Sequence, residues 1–310
     1  MAEFEIPWIP NSWSMTMKEL HQRLRGYNWH SSLRRWILRI DGVGFVYVNS
    51  RVVKRYGGIE GVLDAPDRYI ASFRRYNNGM TWLYRVASQG YVDIPPQKVV
   101  DTLVGFLRGV KIELDNFGKW GNRISLWDGA VYGELTARLG WTKVLENAEI
   151  LLRVEWGDDG FHAFRTYLAI ADVNTGSAMV LNLGYRARAS KRVFHSRLTH
   201  NTTYREKVVD VMERITQFVK NTIAIAPKVE QRFTLLKNIP VRDEDVDEIS
   251  KHFNNKFMNL WRKYSQKYGK NMLALFEVLG WYAAHGTPSR RENALREMRK
   301  WSKIVTIEEL

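Results

Sequence analysis

The residues from Gly184 to Lys207, GYRARASKRVFHSRLTHNTTYREK, set seven Arg or Lys side chains against a single acid, Glu206. Tyr185, Phe194 and Tyr204 are interleaved among them. Cations at this density suit a polyanion, and each phosphate they neutralise releases condensed counterion, so binding should fall steeply with salt. Arg186, Arg188, Lys191, Arg192 and Arg197 are the expected backbone contacts, with Arg186 and Arg188 on one side of a strand by simple alternation. His195 and His200 stand five residues apart, which fits neither one helix face nor a common zinc pattern. They read as extra donors that gain charge as pH falls.

A second basic set lies in the first third of the chain. Arg34, Arg35, Arg51, Lys54, Arg55, Arg74 and Arg75 mix there with Trp29, Trp36, Tyr56, Phe73 and Tyr76. Exposed rings stack the bases of a single strand without sequence readout, at about 1–3 kcal/mol each, whereas most large rings serve the core. Arg34, Arg35, Arg74 and Arg75 are taken as the nucleic-acid contacts of this set.

Bond-making chemistry finds less support. A nuclease needs carboxylates to hold Mg²⁺ beside a phosphate, and the pairs available are Asp158 with Asp159, Glu113 with Asp115, and Asp64 with Asp67. Asp158 and Asp159 sit between Gly157 and Gly160, where a hairpin turn accounts for them. There is no phosphate-cradling G-x-x-x-x-G-K-[ST] and no G-x-S-x-G. Enzymatic activity is therefore left open and leaning to none, with no cofactor and no metal expected.

The elements that would carry these residues can be read from period and punctuation. Residues 36–48, WILRIDGVGFVYV, form a hairpin about Asp41-Gly42. A helix follows Pro95 and Pro96, with Val99, Val100, Leu103, Val104 and Leu107 on one face. Residues 149–156, 164–173 and 177–189 read as an antiparallel meander joined by GDDG and NTG turns. Thr203 and Glu206 cap a long helix that Pro227 should stop, and residues 243–268 continue as another. Two more helices are expected at 272–285 and 290–303. The fold class is α+β, an antiparallel sheet with packed helices followed by a helical C-terminal third. The boundary is placed between a sheet-bearing 1–201 and a helical 202–310, the latter able to pack on the same domain.

Lys and Arg outnumber Asp and Glu by 47 to 33 in 310 residues, a net charge of +14 that calls for an anionic partner. Cysteine is absent, which removes disulfides, thiolate metal sites and thiol nucleophiles and points to a reducing compartment. The first residues, MAEFEIPWIPNSW, lack the pattern of a signal peptide, and no window offers the roughly 18 apolar residues of a membrane helix. The cytoplasm is the expected location, that of the host cell if the chain is viral.

The segment ADVNTGSAMVLNLGYRARASKRVFHSRLTHN, then a long helix, then LALFEVLGWYAAHGT at 273–287, resembles the phage- and plasmid-borne family catalogued as domain of unknown function 932. The resemblance spans about residues 149–287. Many members carry a Cys-Asn pair before the Arg-His segment, where this chain reads Ala187-Arg188-Ala189-Ser190, so no thiol role carries over. The resemblance implies a mobile-element origin. By analogy with single-strand annealing proteins from such elements, the expectation is a homo-oligomer that binds single-stranded DNA and promotes annealing. A divalent-metal nuclease and an interaction protein with a basic docking face are the alternatives.

Overall fold

The computed structural model describes residues 4–89, 91, 94–160, 164–180 and 204–302. It shows an α+β chain with two antiparallel-dominated sheets and a helical C-terminal third. The first sheet holds β1 (Ser12–Thr16), β2 (Leu24–His30), β3 (Arg35–Ile40), β4 (Gly44–Val48), β5 (Tyr69–Arg75) and β6 (Thr81–Ser88), in the order β1-β5-β6-β4-β3-β2. Only β4 and β6 pair in parallel, because the crossover between them carries two short helices as well as β5.

Helices α1 (Met17–Arg23), α2 (Ser50–Arg55) and α3 (Ile59–Leu63) cover one face of this sheet. Alternation puts Leu38, Ile40, Val46, Val48, Phe73 and Leu83 on that face, where they pack with Leu20, Val52 and Val62. A capping box fixes the start of α1: Glu19 N donates to Thr16 Oγ1 (3.1 Å) and Thr16 N to Glu19 Oε2 (2.8 Å). The expected hairpin at 36–48 is β3 and β4, turning at Gly42 with φ +73°.

The second sheet runs β12-β11-β10-β9-β7, with β8 also on β9. Its strands are β7 (Glu113–Leu114), β8 (Arg123–Trp127), β9 (Ala130–Thr142), β10 (Ala148–Gly157), β11 (Arg165–Asp172) and β12 (Ser177–Val180). The expected meander is β10, β11 and β12; the part of its last strand beyond Val180 lies outside the described residues. Against this sheet pack α4 (Pro96–Gly109), α5 (Tyr204–Ala224), α6 (Ala226–Leu236), α7 (Asp243–Ser250), α8 (Lys256–Tyr268), α9 (Met272–His285) and α10 (Pro288–Trp301). One continuous apolar cluster joins them, from Ile94 to Met298. The two buried clusters part between Val86 and Ile94, whereas the sequence reading draws its boundary at 201/202.

Two helix expectations change. Residues 243–268 are two helices, not one, with a break at residues 251–255: Phe253 stacks on Phe257 (5.0 Å) and against Tyr282 (4.6 Å), and Asn254 accepts the Tyr282 hydroxyl. Pro227 not only follows the end of α5 but is the second residue of α6, where its missing N–H costs nothing. The acidic run Asp243, Glu244 and Asp245 occupies the first turn of α7, as dipole compensation predicts. Among the described residues no helix is long and apolar enough to cross a membrane.

Candidate nucleic-acid interface

Of the four arginines taken as contacts in the N-terminal basic set, Arg34 and Arg75 are exposed. Arg34 ends the turn between β2 and β3 with φ +51°, a left-handed conformation closed by its N–H to Ser31 O (3.3 Å). The strands it joins carry a cluster of rings. Trp29 and Tyr27 both pack edge-on to Trp36, at 5.6 and 5.8 Å, while Trp29 keeps 50% of its surface exposed. This hairpin therefore carries half-exposed aromatic rings, which can stack bases, with Arg34 in its turn, while the Tyr27 hydroxyl donates to Glu60 (3.3 Å). Arg75 is exposed and donates only to neutral groups among its described bonds, Thr81 Oγ1 (3.0 Å) and Val43 O (3.1 Å). Phe73 is fully buried and Tyr56 donates its hydroxyl to Val86 O, so these two rings belong to the fold.

Arg74 and Arg35 require correction. Arg74 is 2% exposed, with its NH2 on Asp158 Oδ2 (2.8 Å), its NH1 on the Gly129 carbonyl and its guanidinium 4.2 Å from the Tyr84 ring. A phosphate cannot reach it without opening the protein. Arg35 is held by Asp128 (3.0 Å), which also accepts from Ser50 (3.0 Å). Strand alternation is the physical reason: Arg74 and Arg85 stand on the face of the first sheet that meets the second sheet, opposite its apolar face.

The acid pair Asp158-Asp159 forms the other half of this junction. Both are buried: Asp158 accepts from Arg74 and from Val131 N (2.7 Å), and Asp159 accepts the Tyr132 hydroxyl (2.9 Å) and faces Arg51 (3.6 Å). Burial, then the Asp159 charge, push the Tyr132 phenol far above its ordinary range. The two carboxylates follow the end of β10 and are spent on tying two sheets together. Asp115 pairs with Arg138 (2.8 Å) and Asp67 with His21 (3.4 Å). Among the described residues no three His, Asp or Glu side chains gather as a metal site.

Arg186, Arg188, Lys191, Arg192, His195, Arg197 and His200 lie outside the described residues. In the sequence they fall between Val180, the last residue of β12, and Tyr204, the first of α5.

One buried site went unread in the sequence. Glu277 is the lone charge in the apolar run of α9, fully buried, and its Oε2 accepts from Ser177 Oγ and from Thr175 Oγ1 (3.1 Å). Burial, with neighbouring Asp172 adding to it against the lowering effect of Ser177, lifts its carboxyl to about 7. The β11–β12 turn and α9, the two segments quoted above as motifs, thus meet at a buried carboxyl. His285 Nε2 adds a 2.5 Å contact to Gly176 O. A single Glu inside LALFEVLGWYAAH was the available signal.

Compared with known protein families, with curated proteins and with solved structures, the chain has no match in any of the three.

Proposed function

We propose that this protein binds nucleic acid, single-stranded DNA in preference, without a cofactor, and promotes strand annealing as a homo-oligomer in the cytoplasm of a host cell. The observation that carries the reading is the segment 184–207, seven cations against one acid in a chain of net charge +14. The β2–β3 hairpin supports it with half-exposed Trp29 and Tyr27 and with Arg34 in its turn. Annealing requires no bond to be broken: cations neutralise two backbones while base edges stay free to pair.

The test is fluorescence anisotropy with matched single- and double-stranded oligonucleotides across a salt series, for the wild type and for Arg188→Glu with Arg192→Glu. Single strands should bind more tightly. The double variant should weaken binding and lower the log–log salt slope by about 1.4, since each lost phosphate contact removes about 0.7 on a single strand. Equal affinity of wild type and variant at matched salt would remove the assignment. Trp29→Ala should weaken single-strand binding by about 1 kcal/mol or more, with the fold intact.

A further inference from the structure

The loop between β7 and β8 is held against the second half of the molecule with little freedom. Phe117 and Trp120 exchange backbone hydrogen bonds (2.9 and 2.8 Å). Lys119 N donates to Ala284 O (2.8 Å), and the Trp120 indole donates to Ala283 O (3.1 Å) at the end of α9. Gly118 has φ +58°, and a Cβ there would stand 2.8 Å from the Ala284 carbonyl oxygen, so this close approach requires glycine. Asn122 closes the loop by donating to Asn116 Oδ1 and accepting from Thr136 N, both at 2.8 Å.

Between this loop and α10 lies a cleft of about 340 Å³, lined among others by Asn116, Lys119, Arg123 and Arg291, with exposed Glu5 contributing one acid. Its cations are unequally satisfied. Arg123 meets Glu134 (2.5 Å), whose other oxygen meets Arg153 (2.5 Å), and Arg153 also meets Glu155 (2.8 Å). Arg291 makes no described ion pair, and its Nε is buried without a hydrogen-bond partner. Burial foremost, and then the charge of Arg153, depress its pKa, with Glu134 and Glu155 acting the other way. Arg153 NH1 is also buried and unpartnered nearby. A buried guanidinium donor left unpaired is costly, and an anion in the cleft would remove that cost.

We propose that this cleft binds a phosphate group, with Arg291 as its principal ligand and Lys119 and Arg123 completing the site. The three cations come from three separate elements, α10, the β7–β8 loop and β8. A tetrahedral oxyanion offers oxygens in all those directions, whereas a carboxylate offers them in one plane. The group would be either the terminal phosphate of a nucleic-acid strand or a small phosphorylated molecule. None of the described lining residues falls within 184–207, so the test below does not depend on the reading proposed above.

Calorimetric titration of the full chain with inorganic phosphate at constant ionic strength tests it. Saturable binding is expected, weakened about tenfold or more by Arg291→Gln and by a smaller factor by Lys119→Gln, which alters an exposed side chain and leaves the fold intact. Anisotropy with terminally phosphorylated and hydroxyl-ended oligonucleotides then separates the sources. Tighter binding of the phosphorylated strand, lost in Arg291→Gln, assigns the site to strand ends; equal binding of the two, with inorganic phosphate still bound, assigns it to a small phosphorylated molecule. Absence of saturable phosphate binding, or binding unchanged in both variants, overturns the proposal.

Discussion

Two of the places where the molecule buries acids neutralise them in different ways. At the junction of the sheets, Asp158 meets Arg74, and Asp128 meets Arg35, so each carboxylate faces a guanidinium. Under α9, the described bonds to Glu277 come from hydroxyls, its neighbour Asp172 is another acid, and a proton takes the place of a cation. The contrast follows from secondary structure. The junction face of the first sheet carries arginines at alternate positions, while α9 is apolar on every side and supplies no cation. The first arrangement depends on partners from distant sequence; the second depends on pH.

Breaking the first arrangement should have the largest effect. Asp158→Asn keeps the shape and removes the carboxylate facing the buried Arg74 charge, at a cost of about 3–5 kcal/mol in denaturant unfolding. Replacing Arg74 with Met and Asp158 with Leu together should cost less than the single change, because no stranded charge remains. A loss below about 1 kcal/mol in Asp158→Asn would mean that the junction is not closed by this pair.

The same contrast explains what could be read in the sequence. The β3–β4 hairpin, the meander, α4, α9 and α10 follow from apolar period and turn residues, which are local signals. The strands β5 and β6 were not individually legible, since Ser72, Arg74 and Arg85 occupy positions where alternation would call for solvent, yet they face the second sheet. Arg74 and Asp158 are 84 residues apart, and Thr175 and Glu277 are 102 apart. Charge composition alone made Arg74 look like a phosphate contact; only the fold shows its partner. The break at residues 251–255 was equally hidden, because the apolar positions on both sides keep helical spacing.

The second arrangement gives a smaller, pH-dependent effect. The Glu277 carboxyl titrates at about 7 in the folded chain against 4.5 when unperturbed, so between those values the folded state holds a proton that the unfolded state has lost. Stability should therefore decline as pH rises from about 4.5 to 7 and level off above, by roughly 3 kcal/mol in all. Glu277→Gln keeps an acceptor for Ser177 and Thr175 and cannot ionise. Its stability should match the wild type near pH 5 and exceed it at pH 8; parallel pH profiles of the two proteins would show that Glu277 carries no such proton.

The smallest effect is expected where an acid meets its cation in water. Asp210 and Arg214 stand four residues apart on α5, with side chains 45% and 42% exposed. Solvent screens such a pair and side-chain entropy opposes it, so Asp210→Asn should lower stability by no more than about 0.5 kcal/mol, less still at high salt. Measured beside Asp158→Asn in the same buffers, it separates the charge from its surroundings: both variants delete one carboxylate beside one arginine. Comparable losses at the two sites would show that burial is not what makes the sheet junction costly to break.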